Sequence, residues 1–102
     1  MEATDNLINE VANYLDITWE MSEAERSKLE GMITRGIAAL ERRIGSCDFT
    51  SETPEKTLLF NLVMYERSGS LDEFWTNYAG ELMSMKVHNM ISGGESDAET
   101  EG

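Results

Sequence analysis

Residues 22–45, SEAERSKLEGMITRGIAALERRIG, form the stretch on which the fold turns. Ser22 and Glu25 stand at the spacing where a hydroxyl and a carboxylate satisfy each other's backbone N–H groups and start a helix. After them Leu29, Met32, Ile33, Gly36, Ile37, Leu40 and Ile44 recur at intervals of three and four, so they share one helical stripe. Gly45 follows as a residue able to take the left-handed backbone that closes a helix. Gly36, in the middle of the stripe, costs about 1 kcal/mol relative to alanine. Close approach of a neighbouring backbone is the expected offset.

Upstream, Thr4 or Asp5 can cap a first helix of about three turns, with Leu7, Ile8, Val11 and Leu15 on one face. The period breaks over residues 16–21, a linker of mixed polarity that contains Trp19. Downstream, residues 46–52 are polar around a single aromatic, Phe49, and lead to Thr53-Pro54, a cap followed by proline at the first helical position. Residues 58–65 carry one polar residue, Asn61, in an otherwise apolar run. Periodicity alone admits a buried strand there, but the proline start and the Gly69 stop bracket a helical length. Ser70-Leu71-Asp72-Glu73 is a second capping pattern, after which Leu71, Phe74, Trp75, Tyr78, Leu82 and Met85 share one face of a fourth helix. The sequence thus predicts an all-α protein, a small four-helix bundle over residues 1–91 with a disordered, flexible acidic tail over 92–102.

The chain has 102 residues, enough for one core of a few packed elements. Twenty Asp and Glu against eight Lys and Arg give a net charge of −12, which argues against adhesion to nucleic acid or to an anionic membrane. The single cysteine, Cys47, closes no internal disulfide, and a reducing compartment is the simple reading. Acid stands near the N-terminus where a signal peptide carries cations, and no apolar stretch approaches a membrane span. A cytoplasmic protein is expected.

Catalysis needs a nucleophile, a base and an orienting group together. The one histidine, His88, has no evident companion and reads as a solvent-facing helix residue. Cys47 has Asp48 beside it, which raises rather than lowers a thiol pKa. Glu23, Glu25 and Glu30 scatter round a helix, and Gly93-Gly94 is followed by acids rather than by the lysine of a phosphate loop. No catalytic, cofactor-binding or metal-binding residue is assigned, and no enzyme is expected. The two-sided apolar third helix is either core or a subunit interface, with Phe60 and Met64 as its candidate contacts. Trp19 is either a staple over the end of the bundle or an exposed anchor for a neighbouring subunit.

The order of these segments carries a resemblance. Leu7-Ile8-x-x-Val11-x-x-Tyr14-Leu15-Asp16-Ile17 comes first, then Leu29-x-x-Met32-Ile33-x-x-Gly36-Ile37-x-x-Leu40 and Phe49. Leu59-x-x-Leu62-Val63-x-Tyr65 and Glu73-Phe74-x-x-Asn77-Tyr78-x-x-x-Leu82 complete the series. Over roughly residues 5 to 88 the chain resembles the small head-to-tail connector, or adaptor, proteins of tailed bacteriophages and prophages. Each motif consists mainly of packing residues, and their order and spacing carry the likeness.

The resemblance implies a structural virion subunit that forms a ring on the portal protein after DNA packaging, extends the DNA channel and meets a downstream connector or tail protein. DNA would pass without specific binding, and the protein would occupy the bacterial host cytoplasm during assembly and then the head-to-tail interface. The portal-docking segment would comprise Lys86, Val87, His88, Asn89, Met90, Ile91 and Ser92. A loop facing the channel or a neighbour would comprise Ser46, Cys47, Asp48, Phe49, Thr50, Ser51 and Glu52. The acidic Gly and Ser tail departs from the family pattern. A strongly negative ring opposes its own assembly, so the free protein is expected to be largely monomeric until the portal organises it. The alternative reading, motivated by the charge, is a stand-alone acidic helical adaptor or DNA mimic that binds a basic protein surface.

Overall fold

Capping chemistry sets where the helices begin. In the computed structural model, which describes residues 4–95, Thr4 Oγ1 accepts the Leu7 N–H at 3.2 Å and starts α1 (Asp5–Tyr14). Ser22 and Glu25 form the reciprocal box expected of them and start α2 (Glu23–Ile44). Thr53 caps α3 (Pro54–Arg67) with Pro54 in its first turn. Two shorter segments follow, α4 (Leu71–Asn77) and α5 (Ala79–Glu95). All regular elements among the described residues are helical.

The helix ends are closed in two ways. After α1 the N–H groups of Asp16 and Ile17 return to the carbonyls of Asn13 and Ala12, with Asp16 at φ +61° in the place glycine usually takes. After α3, Gly69 at φ +77° and Ser70 make the same pair of bonds to Glu66 and Tyr65. The end of α2 differs. Gly45 has a positive φ of +92°, but its ψ of −160° is extended rather than left-handed helical. The chain therefore turns away, and the Ile44 carbonyl is met by a side chain from α5 instead, the Asn89 amide.

The stripe of α2 is buried as its spacing predicts, with Leu29, Ile33, Ile37, Leu40 and Ile44 all at or below 4 % exposure. It packs chiefly on α3 and α5. At Gly36 an added Cβ would stand 2.9 Å from Leu59 Cδ1 and 3.0 Å from Leu62 Cδ2, so the missing side chain admits the leucines of α3. The close approach is made by side chains rather than by backbone. Helix α3 touches α1, α2 and α4, which explains why Leu58, Leu59, Leu62 and Val63 are all buried.

Three expectations need correction. Among the described residues there are five helices rather than four, because the rod predicted from Leu71 onward breaks at Tyr78. Phe74 is fully buried in a nest with Tyr65, Trp75 and Tyr78, at centroid distances of 5.8, 5.0 and 4.8 Å, which seats α4 on α3. Leu82 and its neighbours seat α5 on α2, and a straight rod does not serve both supports. Ser70, moreover, makes no side-chain cap. Phe49, expected to face a channel or neighbour, is 1 % exposed and belongs to the core. An aromatic beneath a short polar loop removes more apolar area from water inside than it could at the tip.

Helix α5 runs on to Glu95, so residues 92–95 of the expected tail are helical; residues 96–102 lie outside the described residues. The principal dimensions are 51 × 27 × 18 Å. The radius of gyration, 15.1 Å, exceeds the roughly 13 Å of a compact chain this long. The molecule is elongated, and one core does not cover every apolar face.

Candidate functional site

Helix α5 turns Leu82, Met85 and Asn89 toward the body. At about 100° per residue, Met83, Val87, Met90 and Ile91 fall within roughly a 100° arc on the opposite side. These four are 61, 46, 66 and 57 % exposed. Isolated exposed apolar side chains are ordinary, but a stripe at helical spacing is a feature of contact surfaces. Three of the four, Val87, Met90 and Ile91, lie in the predicted docking segment. Met83 was missed because the sequence reading ended its packed face at Met85 and did not follow the other side of the helix.

The rest of that segment divides by role. Lys86 and His88 are exposed on the two flanks of the stripe, while Asn89 is half-buried and donates its amide N–H to the Ile44 carbonyl. Asn89 is therefore a latch between helices rather than a free contact residue. Ser92 lies on α5, whose backbone alone is described there.

Between the end of α2 and α5 lies an open groove of about 430 Å³ whose walls include Arg42, Arg43, Gly45, Ser46, Lys86 and Met90. Arg43 stacks on the Trp75 ring with its guanidinium carbon 3.9 Å from the centroid. Arg42 and Arg43 also sit in the last turn of α2, where cations complement the helix dipole. Three of the chain's eight Lys and Arg thus gather at one corner of a strongly acidic protein. Sequence order hid this, because Lys86 is more than forty positions from the arginines.

The loop of residues 46–52 is heavily braced. Asp48 Oδ1 accepts from Thr50 N at 2.9 Å, Thr50 Oγ1 at 2.6 Å and Ser51 N at 3.3 Å, while the Asp48 N–H donates to Glu55 at 3.0 Å. The Thr50 hydrogen bonds, foremost, hold the Asp48 carboxyl down to about 2. Ser46, Thr50, Ser51 and Glu52 are exposed. Cys47 is half-buried, and its thiol is pushed up to about 12 by burial and by the Glu55 and Glu41 charges. A thiol in that state is a poor nucleophile at neutral pH.

Beside the loop, Lys56 is 2 % exposed, with Nζ donating to Glu10 at 2.9 Å and to Glu52 at 3.4 Å. The Glu10 hydrogen bond leads in raising its pKa, against the effect of burial. This pairing ties α1 to the start of α3. The sequence reading missed it because Glu10 and Lys56 are 46 residues apart.

The three candidate interface residues stand in different settings. Trp19 is 51 % exposed and donates Nε1–H to Glu25 at 3.4 Å, over a cleft that includes Ile17, Met21, Leu29 and Met32. Phe60 is half-buried against Tyr14, at a centroid distance of 5.2 Å. Met64, one turn further along α3, is exposed. Among the described residues no group of three or more His, Cys, Asp or Glu side chains could hold a metal ion, and no helix is long and apolar enough to cross a membrane. Comparison with family models, curated proteins and solved structures finds no match for the chain.

Proposed function

We propose that the protein is a non-enzymatic helical docking subunit of the phage head-to-tail connector type. In this reading it sits on the portal as a ring, extends the DNA channel and meets the next connector or tail protein. The observation that carries the reading is the outward stripe of α5, because it falls on the segment that the resemblance assigns to portal docking. The braced loop at residues 46–52 supports it by offering a surface of fixed shape at the turn between α2 and α3. The fold would then act as a rigid body in assembly, held in the host cytoplasm before the virion forms.

The test is capture of the portal protein encoded near this chain, by wild type and by a Met90→Asp/Ile91→Asp variant. Both positions are exposed, so the fold should keep its stability to within about 0.5 kcal/mol. Portal capture should fall at least tenfold, the equivalent of about 1.4 kcal/mol. Undiminished capture by the folded variant overturns the docking face, and failure of wild type to bind any portal overturns the role. The net charge of −12 favours one other reading, an acidic adaptor or DNA mimic on a basic surface. Such a partner would be a nucleic-acid enzyme, bound with an affinity that drops steeply as salt rises.

A further inference from the structure

The cleft beneath Trp19, near the start of α2, joins an apolar interior to a pair of unpartnered cations. Ile17, Trp19 and Met21 of the linker and Leu29 and Met32 of α2 line it, around a volume of about 300 Å³. Its charged lining residues are Lys28, Arg67 in the last turn of α3, and Glu25. Lys28 and Arg67 are exposed and make no ion pair with a described residue. The Glu25 carboxylate already accepts the Ser22 N–H at 2.9 Å and the Trp19 Nε1–H at 3.4 Å. At about 100° per residue, Glu23 and Glu30 lie about 140° and about 160° from Lys28 round α2. Charges beyond roughly 8 Å are largely screened at physiological salt, so an incoming group meets the two cations rather than the net charge of −12.

We propose that this cleft docks an acidic polypeptide segment of a partner protein: a large apolar side chain enters between Trp19 and Met32, and carboxylates beside it pair with Lys28 and Arg67. Small-molecule sites enclose most of their ligand, whereas this cleft is open, and past Arg67 the surface continues to Leu15 and the exposed Met64. That extent suits a polypeptide, with the cleft as the pocket for its anchoring side chain. The backbone of residues 18–21 makes no hydrogen bond to any described residue, so the Trp19 wall can adjust to an arriving side chain without breaking regular structure. Along α2 the helix rises about 24 Å from Lys28 to Ile44, the residue that α5 meets through Asn89. The cleft is therefore separate from the outward stripe of α5 and does not rest on the portal reading.

The test is a magnetic-resonance titration of the full chain with a capped peptide that carries one leucine between two pairs of aspartates. The indole N–H signal of Trp19 and the amides of Lys28, Met32 and Arg67 should move, while the indole signal of Trp75, seated against Phe74, stays in place. Two ion pairs at exposed positions are worth about 1 kcal/mol together, or about fivefold in affinity. A peptide with lysines for the aspartates, or with serine for the leucine, should therefore bind at least about fivefold more weakly. Lys28→Gln/Arg67→Gln should bring the aspartate and lysine peptides to within about twofold of each other, its unmoved Trp75 signal showing an intact fold. Absence of a saturable shift at the cleft overturns the proposal, as does a variant that keeps the charge preference. So does octanoate if it reproduces the shifts at the same concentration, which would make this a site for a small carboxylate. A Trp19 signal that moves when the protein alone is concentrated would put a second copy there and overturn it too. Met90→Asp/Ile91→Asp should bind the peptide as wild type does, whatever its portal capture.

Discussion

Replacing Asn89 with alanine isolates one interaction that the fold uses in place of a conventional helix end. The last carbonyls of any helix lack partners inside it. In α1 and α3 the following backbone supplies them, but at Gly45 the extended ψ carries the chain away and leaves the Ile44 carbonyl to the Asn89 amide. Without that donor a part-buried acceptor goes unsatisfied, at a cost of about 1–2 kcal/mol. Alanine returns up to roughly 0.5 kcal/mol through its better helix propensity. The net loss is about 1 kcal/mol, or about 4–8 °C in Tm for a domain of this size. Asn89→Asp keeps the shape but sets a carboxylate oxygen against the carbonyl, so it should lose more than Asn89→Ala. His88→Ala, next door and exposed, should stay within about 0.5 kcal/mol of wild type. Urea unfolding followed by far-ultraviolet circular dichroism reads all three. An Asn89→Ala chain as stable as wild type, or an Asn89→Asp chain more stable than Asn89→Ala, would refute the latch.

Two further changes probe the core and the loop. Gly36→Val adds atoms where Leu59 and Leu62 of α3 already stand at contact distance, so it should destabilise by about 1–3 kcal/mol despite removing a helical glycine. A variant equal to wild type in chemical denaturation would show that the leucines move aside freely. Asp48 has a folded pKa of about 2, below its ordinary 3.8. Its contribution to stability is therefore complete above about pH 4 and disappears as pH falls toward 2. The stability difference between wild type and Asp48→Asn should shrink across that window, and a difference that stays constant with pH would contradict the assigned hydrogen bonds.

The parts of this fold that were legible in the sequence are those set by short-range rules. The Ser22 and Glu25 box, the Thr53-Pro54 start and the Gly69 stop appear where their spacing places them, because capping joins residues within one turn. The stripes of α1 and α2 were legible for the same reason. What escaped the reading depends on residues distant in the chain. Tyr78 interrupts a rod whose amphipathic pattern runs straight through it, because the supports of the two halves are different helices. Phe49 looked like a loop aromatic until the elements around it closed over its ring. Of residues 86–92, Val87, Met90 and Ile91 face outward, while Asn89 serves the fold through a partner 45 residues away.

The interruption at Tyr78 divides the labour of two neighbouring helices. Changes among Tyr65, Phe74 and Tyr78 strike the aromatic nest and with it the attachment of α4. Changes at Met83, Val87, Met90 and Ile91 touch solvent and leave that nest alone. Had the two helices been one continuous rod, any rotation of that exposed face would have turned the anchored aromatics as well. With the rod broken, the outer side of α5 can vary while the scaffold stays put.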